Sequence, residues 1–182
     1  FSVRPTERLN LYLNAAYTDG TYEKFVDAPC PPELSGGTTA AAGQTPGAAG
    51  VAGALSPANC NISGQWLPGI SKWSASYGAE YDFPLSGFAG GGEVYLGFDG
   101  NYRSKFSSNA SRSIYTDISA YAVHNLRVGF RADSGWDVYG WVRNAFDREY
   151  YELLATTPGD TGLIAGQPGD PRTYGITARV KF

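Results

Sequence analysis

Arg172-Thr173-Tyr174-Gly175-Ile176-Thr177-Ala178-Arg179-Val180-Lys181-Phe182 is the stretch whose reading decides the fold. Counting back from Phe182, every second side chain is apolar: Val180, Ala178, Ile176 and Tyr174. The residues between them, Lys181, Arg179, Thr177, Gly175 and Thr173, are charged, polar or small. A period of two gives a β-strand one greasy and one wet face. Flat amphipathic strands at a chain end fray in water, whereas this length matches the roughly 9–11 residues that cross a bilayer at a tilt. The terminal segment therefore predicts the closing strand of a transmembrane β-barrel.

The same alternation recurs upstream. It predicts strands over about residues 9–18, 72–83, 93–103, 118–131 and 136–146, with 172–182 as the sixth. In the first, Leu9, Leu11, Leu13, Ala15 and Tyr17 share a face; in the second, Trp73, Ala75, Tyr77, Ala79, Tyr81 and Phe83 do. In the fifth, Val138, Gly140 and Val142 are assigned outward because Asp137 and Arg143 lie on the opposite parity. His124 falls on the apolar side of the fourth. Phe1 to Arg8 reads as an approach turn with Pro5 and Thr6 at its corner. The connections alternate long and short: loops over about 19–70, 104–117 and 147–171, and turns at Pro84–Gly92 and Ala132–Gly135. Long loops on one side and short turns on the other are the pattern of outer-membrane barrels. Aromatics at strand ends, Tyr17, Trp73, Phe83, Tyr102, Trp136 and Tyr174, suit the two interfacial girdles of such a barrel.

Composition agrees. No apolar run approaches the roughly 18 residues of a membrane helix, and 24 Gly with 13 Tyr suit strands and turns. The formal charge of −3 gives no electrostatic case for nucleic acid. Thr38 to Ala58 is almost entirely Gly, Ala, Thr and Pro, without period. Cys30 and Cys60 flank it and favour a disulfide in an oxidising compartment, the alternative being two free thiols. A metal site would need carboxylates or this Cys pair, and neither spacing resembles a ligand set. No nucleophile elbow or phosphate loop is present, which argues against an enzyme. With no Met and an opening at Phe1, the sequence reads as the C-terminal portion of a longer protein.

The run Trp141-Val142-Arg143-Asn144-Ala145-Phe146-Asp147-Arg148-Glu149-Tyr150 resembles the penultimate-strand motif of TonB-dependent outer-membrane receptors. Gly169-Asp170-Pro171-Arg172-Thr173-Tyr174-Gly175, running on to Phe182, is similar to the closing strand of that family. Gly64-Gln65-Trp66-Leu67-Pro68-Gly69 resembles its re-entry from a long loop into a strand. The resemblance implies an all-β, antiparallel barrel of about 22 strands around a plug, of which this chain holds the last six. It implies uptake of a scarce nutrient across the outer membrane of a Gram-negative bacterium, most often a ferric siderophore, with energy passed through TonB. The plug and the TonB-contacting segment would lie outside this chain. No cofactor is implied.

On that reading the bilayer, the ligand, TonB and the barrel-assembly machinery are the partners, and the carboxyl end is periplasmic. Tyr174, Ile176, Ala178, Val180 and Phe182 would form the assembly signal. Ligand contact would come from Trp66, Phe106, Tyr115, Tyr150 and Tyr151 as aromatic surfaces, with Arg103 and Arg112 for anionic groups. Packing within loops or girdle is the competing role for each. Arg143, Asn144 and Asp147 are read as struts for the last loop, because strand ends leave backbone groups that need polar partners. A passive porin-like channel would use the same charged lumen residues, Glu80, Asp99, Arg127 and Arg179, and the low-complexity loop alone would suit a structural or adhesive protein.

Overall fold

The computed structural model describes residues 1–28, 30–31, 60–88, 90–110, 113–157 and 163–181. Seven strands form one antiparallel sheet: β1 (Ser2–Thr6), β2 (Leu9–Tyr17), β3 (Trp73–Leu85), β4 (Gly92–Arg103), β7 (Tyr121–Ala132), β8 (Trp136–Arg143) and β11 (Thr173–Val180). Each pairs with the next of these along the chain, so the sheet is a simple meander. Two small hairpins stand outside it: β5 (Phe106–Ser107) with β6 (Asp117–Ile118), and β9 (Tyr151–Thr156) with β10 (Ile164–Pro168). The only helical element among the described residues is a 3-10 turn at Ile114–Thr116.

Register turns the sequence pattern into two surfaces. One row across the sheet reads Leu11, Ala79, Phe98, Leu126, Val142, Tyr174; the next reads Leu9, Tyr81, Leu96, Val128, Gly140, Ile176. Directly opposed residues share a face, so these rows form one continuous apolar surface. The outward assignment of Val138, Gly140 and Val142 holds. Among the described residues no second layer covers this face: Leu96 is 49 % exposed, Val128 51 % and Ile176 81 %. The buried apolar residues instead sit mostly in the loops, including Ala28, Cys60, Ile62, Phe106 and Ile118. A sheet that leaves its aliphatic face bare and has no core beneath it needs hydrocarbon as its partner.

Aromatic pairs mark both margins. At the long-loop end Tyr17 packs on Trp73 at 4.8 Å; at the short-turn end Tyr81 meets Phe83 at 4.6 Å, and Phe130 contacts Phe88 at 5.2 Å and Trp136 at 5.3 Å. The ten residue steps from Trp73 to Phe83 rise about 33 Å along the strand, or about 25 Å normal to a membrane at a tilt near 40°, the height of an outer-membrane apolar band.

Four boundaries differ from expectation. Phe1–Arg8 is not an approach turn: Ser2–Thr6 is a seventh strand, paired with β2 through Ser2↔Tyr12 and Val3↔Leu11. Pro5 lies where the register slips between Val3 and Thr6, and an edge bulge is where a strand tolerates proline. The turn is Glu7–Arg8, closed by Thr6 Oγ1, which accepts from the backbone of Arg8 and Leu9 at 3.3 and 3.1 Å. The strand expected from 118 starts at Tyr121, because Ile118 belongs to β6. The strand expected to reach 146 stops at Arg143, because Asn144 adopts φ 49°, a left-handed conformation that Asn enters more readily than most residues. The loop expected over 147–171 contains the β9–β10 hairpin. Phe182 lies outside the described residues.

Neither the outer edge of β1 nor that of β11 has a partner among the described residues, so the barrel is not closed within this chain. In the full-length barrel, Leu126→Lys, near mid-depth on the outer face in the row of Ala79 and Phe98, should cost about 2–4 kcal/mol in denaturant refolding into vesicles. Asn101→Lys, on the inner face, should fall within about 0.5 kcal/mol of the parent. Equal costs at the two positions would overturn the assignment of faces.

Candidate functional site

The polar face is built around arginines. Arg127 on β7 reaches across β4 to Glu80 of β3, Nη2 to Oε2 at 2.9 Å, and to Asp99 of β4 at 3.2 Å. Gly97 opposes Arg127 in register, and a Cβ there would collide with its side chain, so this glycine is what lets the guanidinium lie flat on the sheet. Arg131, two pleat repeats further along β7, pairs with Glu93 and stands 3.5 Å from Glu80 and 3.9 Å from Asp82. Tyr95 takes the guanidinium of Arg131 over its ring at 4.7 Å and donates to Asp137 at 3.0 Å. On β8 and β11, Arg179 donates to Tyr139 Oη at 2.7 Å, and Trp141 Nε1 donates to Thr177 Oγ1 at 3.1 Å. Apart from Asp82, Glu93 and Gly97, these residues line a hollow of about 530 Å³ on the inner wall. Of the lumen charges expected, Glu80, Asp99, Arg127 and Arg179 all lie here; Tyr95, Arg131, Asp137 and Trp141 are additional.

The three long loops leave the same end of the sheet and are bonded to one another. The described part of the first is a zipped stem. Tyr22 N–H donates to Gln65 C=O at 2.9 Å, Ile62 N–H to Phe25 C=O at 2.9 Å, and Ala28 and Cys60 exchange bonds at 3.1 and 2.7 Å. Cys30 and Cys60 are joined by a disulfide beside the small Ala28–Cys60–Ile62 cluster. Gly69 N–H donates to Ser107 C=O at 2.7 Å, tying this stem to the second loop. The Ser108 hydroxyl accepts from Leu154 N–H at 2.8 Å and donates to Leu154 C=O, and Asn109 Nδ2 donates to Thr156 Oγ1 at 2.9 Å, tying the second loop to the β9 hairpin.

Against this background the expected ligand contacts divide. Phe106 is 2 % exposed, and the Arg103 guanidinium lies 4.0 Å over its ring. Arg103 also donates to Ser71 Oγ at 3.2 Å and to Gly69 C=O at 2.9 Å. Both residues therefore hold loops together, a role only long-range packing reveals. Tyr150 stacks on Tyr121 at 4.4 Å. Burial, then the charge of Glu152 and the neighbouring Tyr121 and Asp170, raise its phenol pKa above the usual value. Trp66 is 36 % exposed under Lys72 at 4.6 Å, while Tyr115 and Tyr151 are 60 % and 49 % exposed. These three keep accessible aromatic faces. Arg112 lies outside the described residues.

Asn144 is the buried strut of the last loop, at 3 % exposure. Its Nδ2 donates to Arg148 C=O and Asp170 C=O at 2.9 and 3.0 Å, and its Oδ1 accepts from Arg148 N–H at 2.8 Å. Asp147 pairs with Arg172 at 3.3 Å across the loop's mouth, and Arg143 lies over Trp141 at 5.0 Å. Because Asn144→Ala removes three hydrogen bonds to the loop's neck, each contributing about 0.5–1.5 kcal/mol, it should speed proteolysis within residues 144–172 of the full-length protein. Unchanged cleavage would remove the strut role.

Residues 2–145 match the family model described as TonB dependent receptor-like, beta-barrel. A curated relative, the ferric-pyoverdine M114 receptor PbuA of Pseudomonas sp. (strain M114), is 34 % identical over 83 residues, which are 46 % of this chain and 9 % of the relative. Among solved structures, the ferric yersiniabactin uptake receptor FyuA of Yersinia pestis superposes with a TM-score of 0.67 at 14 % identity; the match covers all of this chain and 22 % of FyuA. That likeness carries the fold. The chain thus spans a small part of the length of these proteins. An antiparallel meander with a bare apolar face, a charged inner wall and all long loops at one end, together with the family match over most of its length, makes this chain a member of the TonB-dependent receptor β-barrel family.

Proposed function

We propose that this chain is the C-terminal part of an outer-membrane receptor that takes up a ferric siderophore in a TonB-dependent manner. The observation that carries the reading is the family match over residues 2–145, beside which a separate relative, 34 % identical over 83 residues, is by name a ferric-pyoverdine receptor. The geometry supports it: the loops form one bonded tier above the wall, with Trp66, Tyr115 and Tyr151 offering aromatic surface for a bulky chelate. The long loops face the medium and the short turns the periplasm, so β11 runs inward and its carboxyl end is periplasmic. Capture falls to the loops, and the energy for release comes through TonB by way of segments outside this chain.

A strain lacking the full-length gene should fail to grow on a particular ferric siderophore as sole iron source, and growth should return with the gene only when TonB is functional. Uptake that persists without TonB and does not saturate would instead establish a passive channel. The final strand bears the second test. In this reading Tyr174, Ile176, Ala178, Val180 and Phe182 form the signal for the barrel-assembly machinery, so deleting Phe182 from the full-length receptor should lower its outer-membrane level severalfold on immunoblots. An unchanged level would remove that role.

A further inference from the structure

The inner wall and the last long loop share one continuous set of side-chain bonds. Asp99 divides its carboxylate: Oδ1 takes Arg127 Nη1 at 3.2 Å, and Oδ2 accepts from Asn125 Nδ2 at 2.7 Å. Asn125 turns its Oδ1 the other way and accepts the backbone N–H of Asn144 at 3.1 Å. Asn144 then binds Arg148 and Asp170, the two ends of the loop's neck. The chain Glu80–Arg127–Asp99–Asn125–Asn144 therefore runs from mid-wall to the seat of residues 144–172. The adjacent bond, Ala145 N–H to His124 C=O at 2.7 Å, is between backbones and does not depend on this chain.

We propose that Asp99 and Asn125 are positioning residues for ligand capture: they transmit the arrangement of the Arg127 ion pairs to the last extracellular loop. The role in capture rests on the siderophore-receptor reading; the mechanical link does not. Asn125 commits its amide donor to Asp99 and its amide acceptor to Asn144, in opposite directions, so amide chemistry is required there. A lumen group bearing a carboxylate that drew Arg127 away from Asp99 would free that carboxylate to turn, and the loop seat would follow.

The test uses the full-length receptor in detergent or native membranes and reads hydrogen exchange over residues 144–172, which requires no ligand. Asn125→Asp removes the donor and sets two carboxylates against each other; Asn125→Ala removes both bonds and covers the case in which Asn125→Asp fails to assemble. Either should raise exchange in the loop about tenfold, the effect of losing a charge-assisted bond, with the thermal transition of the barrel unmoved. Ser76→Ala, on the same wall but away from the chain of bonds, should change nothing. The double variant Asp99→Asn/Asn125→Asp reverses donor and acceptor between the two positions and keeps an acceptor for Asn144, so it should restore protection. Unchanged exchange in the single variants, or no rescue in the double, would overturn the link. A normal loop response with unaltered affinity for the ferric siderophore that supports growth would overturn only the role in capture.

Discussion

Every part of this molecule depends on pairing register. Along each strand the side chains alternate between hydrocarbon and an aqueous lumen, so a slip of one residue moves a whole row to the wrong side. If β7 slid by one against β4, Arg127 and Arg131 would face lipid and Leu126 and Val128 the wall. The cost would be about 2–4 kcal/mol for Arg127, near mid-depth, and about 0–1 kcal/mol for Arg131 at the short-turn end, before any lost ion pair. The ion pairs on the inner face strengthen the same choice. Arg127 reaches Glu80 and Asp99 only when Gly97 lies opposite it, so β3, β4 and β7 are locked together by one side chain and one missing Cβ.

What was legible in the sequence follows from that dependence. Alternation is a property of single strands, so the six spans, the outward parity of Val138, Gly140 and Val142, and the place of His124 on the apolar face could all be read locally. His124 does lie there, with Nε2 2.8 Å from the Tyr77 hydroxyl and its ring stacked on Phe98 at 5.5 Å. β1 was hidden because Pro5 is a strong local turn signal, and only pairing with β2 shows that it occupies an edge bulge. The β9–β10 hairpin was hidden because five- and six-residue strands set among Gly and Pro carry little periodic signal.

The site was less legible for a different reason. Whether an aromatic or a cation in a loop is available depends on partners tens of residues away. Phe106 and Arg103 looked alike to Tyr115 and Trp66 as candidates, yet Arg103 spends its donors on Ser71 and Gly69 and covers Phe106. Tyr150 is held by Tyr121 while its neighbour Tyr151 stays exposed. The wall was half legible: the charges could be assigned inward by parity, but their pairing needed the register of strands separated by long loops.

The contacts in the loop tier separate its scaffold from its exposed surface. Its internal bonds are largely made by backbone groups, as between Gly69 and Ser107, or by short hydroxyl and amide side chains gripping backbone, as at Ser108 and Asn144. Such contacts constrain a few positions and leave their neighbours free. Trp66, Tyr115 and Tyr151 lie among those neighbours, each partly exposed, with Lys72 over the ring of Trp66. A tier organised in this way can change its exposed surface without disturbing the seat on which its loops rest. That seat is the strand end, and its geometry is set by the register.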